Sequence, residues 1–502
     1  MCLALISSAQ ATTMQEALEA AYQNNPKLTA QRANVRVADE NVPIARAASM
    51  PVIDGTVSYQ ENILKGDNPP GGFVSDPDRQ LVGQINATLP LITFGVNKWG
   101  VAAADERVKA SRYGLRGGEA DLFTAVVGAY MDVIRDEAVV RLNQRNTQVI
   151  GFNLQETTDR YKAGNRGPAD VAQSEARLSL AQAQSETAQS KLITSRESFI
   201  QLVGSEPGVL APPPPLPELP TDPNVAVEYA LQNNPNILAA MSQRIALSDD
   251  VRVADGERKP RLEARASLNH YDYLNSLAPG TGPRNGDRGT TANVGVALRV
   301  PLFSGGRLSA LYRQAVEKEG VGVEQVVEAQ RTVVAQTRSA FATWVAAQRV
   351  IAAAERGAAA NQRALQALGA QVDAGVRPLL DKLNAEQELL NSQVTLVTAR
   401  RDAYVAGFAL LAAMGRAEAK DLNFESSRLY DPTVHYDKVR NQIFQLSDQP
   451  VPAAKAQGTS GTRPQDAQVT PADGGVSDPA LSIRSDASPA AAPGGQIAVS
   501  KP

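Results

Sequence analysis

Tyr22-Gln23-Asn24-Asn25-Pro26 returns as Leu231-Gln232-Asn233-Asn234-Pro235, and Pro51 meets Pro260 at the same spacing (231 against 22, an offset of 209). Farther on the offset becomes 211 (301 against 90). Pro90-Leu91-Ile92 then meets Pro301-Leu302-Phe303, Ala163-Gly164 meets Ala374-Gly375, and Asp170, Glu175 and Gly204 meet Asp381, Glu386 and Gly415. A correspondence held this far with one two-residue slip is a duplication, and its period is far too long for a solenoid. The repeats span 12–204 and 224–415. Between them the connector 205–223 carries Pro212-Pro213-Pro214-Pro215 and is expected to be stiff and extended. A C-terminal segment follows over 416–450. From 451 to 502 the chain is dominated by Ala, Pro, Gly, Ser, Thr and Gln, a composition that predicts a disordered tail.

Each repeat reads as helix, strand, strand, very long helix, tight turn and shorter helix. In the second strand of the first repeat Leu81, Gly83, Ile85, Ala87, Leu89 and Leu91 alternate with Gln84, Asn86 and Thr88. Its counterpart alternates Ala292, Val294, Val296, Leu298, Val300 and Leu302 with Asn293, Gly295 and Arg299. The earlier strands set Ile53, Val57 and Tyr59 against Asp54, Thr56, Ser58 and Gln60, and Leu262, Ala264, Ala266 and Leu268 against Glu263, Arg265, Ser267 and Asn269. Each strand is long enough to cross a bilayer at the tilt of a barrel. Gly/Pro/Asp-rich stretches at 66–78 and 276–289 read as external loops. Alternation alone also describes a soluble sheet with one wet face. The charged second face and the number of strands favour a membrane barrel. Four strands cannot close by themselves; three chains would supply twelve and leave a watery lumen for the polar side chains.

No proline interrupts Val96 to Ala163 or Leu308 to Ala374, so each run predicts a helix about 100 Å long. Gly164 and Gly375 end the runs and Pro168 and Pro378 follow them, the pattern of a glycine cap and a proline opening the returning helix. The second returning helix carries two heptad stripes. One runs Leu380, Leu383, Gln387, Leu390, Val394, Val397, Arg401, Tyr404, Phe408, Leu411; the other runs Leu389, Ser392, Leu396, Ala399, Ala403, Ala406, Leu410, Ala413. Two apolar stripes on opposite sides predict a neighbour on each side, as in a cylinder wall. The polar faces between them, Asp381/Asn384/Glu388/Asn391/Thr395 and Glu386/Gln393/Arg400, are expected to face lumen and exterior.

The 50 Lys+Arg nearly balance 53 Asp+Glu for a net charge of -3, and no basic run occurs, which argues against nucleic acid as partner. His270, His435 and the single Cys2 cannot form a metal site or a Cys-His dyad; no metal and no cofactor is expected. No run of about 18 apolar residues suits a membrane-crossing helix. Residues 1–11, with Cys2-Leu3-Ala4-Leu5-Ile6 and Ala9-Gln10-Ala11, look like the end of a secretory signal whose basic start lies upstream. Cleavage after Ala11 would leave a mature chain without cysteine.

The duplication, the strand end Val300-Pro301-Leu302-Phe303-Ser304-Gly305-Gly306 and the turns Tyr161-Lys162-Ala163-Gly164 and Asp373-Ala374-Gly375 together resemble the TolC-type outer-membrane efflux and secretion proteins. The likeness runs from about Ala17 to Gly415. It implies an α+β membrane protein: a homotrimer whose duplicated chains give a 12-stranded β-barrel and a 12-helix α-barrel, with residues 416–450 in an equatorial layer and the tail in the periplasm. It also implies an exit duct for type I protein secretion or multidrug efflux. The partners implied are outer-membrane lipid, a periplasmic adaptor and an inner-membrane ABC or proton-driven transporter. The adaptor would dock on tip turns Gly164, Asn165, Arg166 and Gly375, Val376, Arg377. The family gate, an Arg after the second turn paired with an Asp after the first, falls on Arg377 and Asp170. Of two lumenal Asp rings, Asp381 keeps one and Asn384 has lost the other; a Tyr that supports the gate is Val372 here.

A periplasmic coiled-coil adaptor is the alternative, but it needs further β-domains around one hairpin where this chain has two equivalent hairpins with strand pairs. An enzyme would have to use Glu175 and Glu386, which read as positions on a solvated stripe. His270 near a strand end reads as an interfacial side chain.

Overall fold

The structure is a computed structural model that describes residues 11–63, 77–276, 287–422, 424–425, 428–445, 450–451 and 453–469. The signal-like start up to residue 10, the loop stretches 66–76 and 277–286, and the tail beyond 469 lie outside the described residues.

Each repeat opens with two helices where the sequence reading had one: α1 (Met14–Asn24) and α2 (Pro26–Ala47), then α5 (Pro223–Asn233) and α6 (Pro235–Gly256). The duplicated Asn-Pro makes the break. Asn25 leaves helical geometry and its side-chain oxygen accepts from the backbone N–H groups of Lys27 and Leu28; Asn234 accepts from Asn236 N–H. Each asparagine caps a new helix whose first residue is proline, a position where the missing N–H is not needed.

Strands β1 (Val52–Glu61) and β2 (Arg79–Ile92) belong to the first repeat, β3 (Arg261–Asp272) and β4 (Arg288–Arg299) to the second. They form one antiparallel sheet in the order β1-β2-β3-β4. β4 stops at Arg299, so Val300 and Leu302, which the alternation includes, fall outside the strand; Pro301 has no N–H to continue a ladder. The register lines up the apolar set across all four strands: Ile53 opposite Ala87, Ala87 opposite Ala266, Ala266 opposite Val294. That face is bare, with Val57 79%, Val294 89% and Val296 71% exposed. On the other face Asn86 Nδ2 donates to Asp54 Oδ2 (3.3 Å), and Arg265 pairs with Glu263 (3.0 Å).

Helices α3 (Val96–Lys162) and α7 (Arg307–Asp373) have 67 residues each, and α4 (Pro168–Val203) and α8 (Leu379–Ala413) return beside them. Both stripes of α8 are covered, each by a different neighbour. Val397, Tyr404, Phe408 and Leu411 pack with Phe123, Val127 and Met131 of α3, whereas Leu396, Ala399 and Ala403 pack with Ala347 and Ile351 of α7. The helices are laid side by side as a wall, as the double periodicity predicts.

The C-terminal segment runs along this wall. Arg428 pairs with Glu19 (3.0 Å), Tyr430 N–H donates to Tyr22 Oη (2.9 Å), and α9 (Thr433–Val439) packs on α2. His435, which the sequence does not place, sits 3.2 Å from the buried Asp39. Disorder is expected from residue 451, but residues 463–469 are held on α4. Arg196 donates to the carbonyls of Asp466 (2.8 Å) and Gln468 (3.0 Å), and Ala467 and Val469 pack on the main core. Composition misses this because the shorter bonds to Arg196 are accepted by backbone carbonyls, which every residue type carries.

Candidate functional site: the helical tip and its groove

Both hairpin turns close in the same way. Gly164 and Gly375 take φ +75°, Asn165 N–H reaches back to Arg160 O (2.9 Å) and Val376 N–H to Gln371 O (2.9 Å). A left-handed residue at this point satisfies helix-end carbonyls, and glycine adopts it without a Cβ clash. The turn residues Asn165, Val376 and Arg377 are exposed and Arg166 is half-buried; Val376 is 75% exposed. Val372, in the place of the family tyrosine, is buried beneath the second turn.

Within one chain Arg377 pairs with Asp381 (Nη1 to Oδ2 3.2 Å), one turn along α8. Asp170 caps α4 instead, where its Oδ2 accepts from Gly167 N–H (3.3 Å). The chain therefore does not itself bring Arg377 to Asp170. Asp381, Asn384 and Glu388 do share one face, as their spacing predicts. With Arg377 they line a groove of about 340 Å³ between α8 and Asn361, Ala364 and Leu368 of α7. Arg177 of α4 reaches Asn384 and donates to its Oδ1 (2.6 Å), a cross-hairpin contact the sequence reading missed.

Glu386 corrects the sequence reading. It is 5% exposed, not on a solvated stripe, and both carboxylate oxygens accept from Asn153 Nδ2 of α3 (3.0 Å each). Burial pushes its carboxyl above the usual range. The stripe from Leu383 to Leu390 can step 3 then 4 or 4 then 3, and the structure takes the first, through Glu386, leaving Gln387 half-exposed. The signal was available in α3, where Asn153 and Thr157 follow Ile150 at core spacing and are buried. Glu175 is exposed on α4, so the two glutamates form no site. His270 bonds Thr290 Oγ1 (2.8 Å) at the sheet end. Among the described residues no group of His, Cys, Asp and Glu is placed to hold a metal ion, and no helix is long and apolar enough to cross a membrane.

Residues 17–205 and 226–416 match the model of the outer membrane efflux protein family, one match per repeat. The chain is 34% identical over 441 residues to the outer membrane efflux protein BepC of Brucella suis, covering 88% of this chain and 93% of that protein. It is 26% identical over 429 residues to the outer membrane protein TolC of Vibrio cholerae (83% and 94%). The fold matches that of the CmeC outer membrane channel of Campylobacter jejuni with a TM-score of 0.72 at 17% identity, covering 85% of this chain and 89% of that one. These matches leave no place for the periplasmic-adaptor alternative. With an apolar sheet face exposed, two repeats each matched by the family model, and paired helices laid side by side as a wall, the chain belongs to the outer membrane efflux protein family and is an outer-membrane exit duct with a periplasmic helical extension.

Proposed function

We propose that three copies of this chain close a 12-stranded barrel and a 12-helix tube, and that the duct conducts cargo when a periplasmic adaptor and an inner-membrane transporter engage its tip. The role is conduction, with no catalysis. The observation that carries the reading is the four-stranded sheet, whose apolar face is exposed and whose outer strands β1 and β4 each pair on one side only among the described residues. In a bilayer an open strand edge leaves backbone groups unsatisfied at several kcal/mol each, so the edges must meet those of other copies. Two copies would supply eight strands, a barrel that side chains fill; three give a lumen wide enough for the polar face.

At the tip, Gly164-Asn165-Arg166 and Gly375-Val376-Arg377 are the proposed adaptor-docking turns. Arg377 of one chain facing Asp170 of the next is the proposed latch, and Asp381 is the proposed lumenal ring with Asn384 a turn above it. Efflux is favoured over protein secretion, since BepC, named an efflux protein, is the more similar of the two relatives described. Cross-linking in gentle detergent followed by single-channel recording tests the duct: trimers that conduct are expected, and monomers at working concentration would refute it. Antibiotic sensitivity against the secreted proteome of a deletion strain separates efflux from protein secretion.

A further inference from the structure

The C-terminal segment climbs the helical wall toward the membrane. Its partners step along α1 and α2 as it proceeds: Arg428 on Glu19, Tyr430 on Tyr22, His435 beside Asp39, then the carbonyl of Arg440 accepting from Arg46 Nη1 (2.7 Å), with Asn441 also bonded to Arg46. Arg46 lies in the last turn of α2 and β1 begins at Val52, so residues 440 and 441 sit beside the junction of helix and barrel. The ends of α2 and α3 are level there, since Asn97 Nδ2 donates to Ala48 O (2.8 Å). The same level carries the marks of a membrane interface. Trp99 lies between Arg252 (4.1 Å from the ring centroid) and Lys98 (4.9 Å), and Arg258 covers Tyr312 (5.1 Å). Aromatic rings and basic side chains gather where headgroups meet acyl chains.

At this height the segment presents Ile443, 68% exposed, and Phe444, 79% exposed, directly after the exposed Lys438 and Arg440. Two large apolar side chains side by side in water are unfavourable, and among the described residues nothing covers them. They follow residues 440 and 441, which are tied to Arg46 six residues before β1 and its bare apolar face, and their basic companions suit phosphate. We propose that residues 438–445 form a foot with which each chain rests on the periplasmic leaflet of the outer membrane: Ile443 and Phe444 enter the acyl boundary, and Lys438 and Arg440 meet phospholipid phosphates. The foot lies on the outer wall, because three such segments inside a tube would fill its lumen; in this the inference rests on the trimeric duct proposed above. The hold on the leaflet is modest per chain and is multiplied by three in the assembly. Arg46 is its positioning residue, since it ties the segment to the wall one turn before the barrel begins.

A nitroxide label reports the occupant directly. Cys2 is the only cysteine, so Phe444→Cys, Val294→Cys and Ser460→Cys are each made with Cys2→Ser, labelled, and placed in nanodiscs of phosphatidylethanolamine and phosphatidylglycerol. Val294 on the apolar sheet face is the lipid reference, and Ser460, exposed close to the stretch held on α4, is the aqueous one. The label at 444 is expected to collide often with oxygen and rarely with a water-soluble nickel complex, as at 294, and to lose that pattern when Arg46→Ala releases the segment. Collisions like those at 460 would overturn the proposal, and so would protection from both reagents, which would mean the residue is covered by a neighbouring chain. Cross-linking of the same preparation keeps the two readings apart: trimers with a wet label count against the foot alone, and absence of trimers counts against the duct.

Discussion

Asn25 and Asn234 show how a duplicated residue serves both halves of the molecule. Each caps a helix with its side-chain oxygen and spends its amide on the end of a returning helix: Asn25 Nδ2 donates to Leu202 O (2.9 Å), Asn234 Nδ2 to Ala413 O (2.8 Å). One side chain thus closes two helix ends, the second belonging to a helix that returns from a hairpin turn. Replacing either by alanine is expected to cost about 1–2 kcal/mol, read as a lower midpoint for heat dissociation of the assembly, with Asn→Asp restoring the cap but not the amide bond. Glu119 gives a second residue-scale prediction. Burial pushes its carboxyl up to about 7 from the usual 4.5; the nearby Arg32 opposes this and Glu418 adds to it. Below 4.5 the group is protonated in both folded and unfolded chains and contributes no pH dependence. Between 4.5 and about 7 only the unfolded chain ionises it, so stability falls as pH rises, and above 7 the penalty is complete. Glu119→Gln should therefore stabilise the protein at pH 8, by on the order of 1–3 kcal/mol, and change little at pH 4. Equal effects at both pH values would show that ionisation is not the cause.

At the scale of elements, the segment held on α4 is the feature that composition hides. Asp466 and Gln468 offer carbonyls to Arg196, which also pairs with Glu137 of α3 (2.8 Å), and Gln465 N–H donates to Glu197 (3.1 Å). Truncation after residue 455 removes these partners and the cover that Ala467 and Val469 give the core. A loss on the order of 2 kcal/mol is expected from the hydrogen bonds and apolar area together, visible as earlier heat dissociation. Truncation after residue 469 keeps all of these contacts and is expected to leave the midpoint in place. The comparison tests the contacts and not the length of the tail.

The whole molecule is where the latch has its effect. If Arg377 meets Asp170 across neighbouring chains, each link contributes on the order of 1 kcal/mol at a half-exposed site, and three copies hold a mostly closed tip. Arg377→Glu replaces three attractions by repulsions, both with Asp170 and with Asp381 in its own chain, and is expected to raise single-channel conductance and let bulky antibiotics leak into cells. Adding Asp170→Arg should partly reclose the duct. If Asp381 forms the proposed ring, Asp381→Ala should weaken block by multivalent cations without much widening, because three carboxylates around a narrow lumen would focus such ions. Unchanged conductance in the first variant and unchanged block in the second would place the gate elsewhere.

The sequence by itself determined the repeat, the strand faces, the hairpin turns and the two-sided packing of α8. All of these are periodic or local: alternation fixes which side of a strand is apolar, a glycine fixes a turn, and two stripes fix two neighbours. It also placed Asp381 and Asn384 together, since residues three apart on a helix share a face. Tertiary structure alone decided what depends on a choice between equal local options or on contacts far along the chain. Whether Leu383 leads to Glu386 or to Gln387 in the seam was settled by where α3 places Asn153. That the C-terminal segment climbs α2, brings His435 to Asp39 and leaves Ile443 and Phe444 exposed was settled by partners roughly four hundred residues away, such as Tyr22 for Tyr430. Such pairings leave no period for a sequence reading to detect.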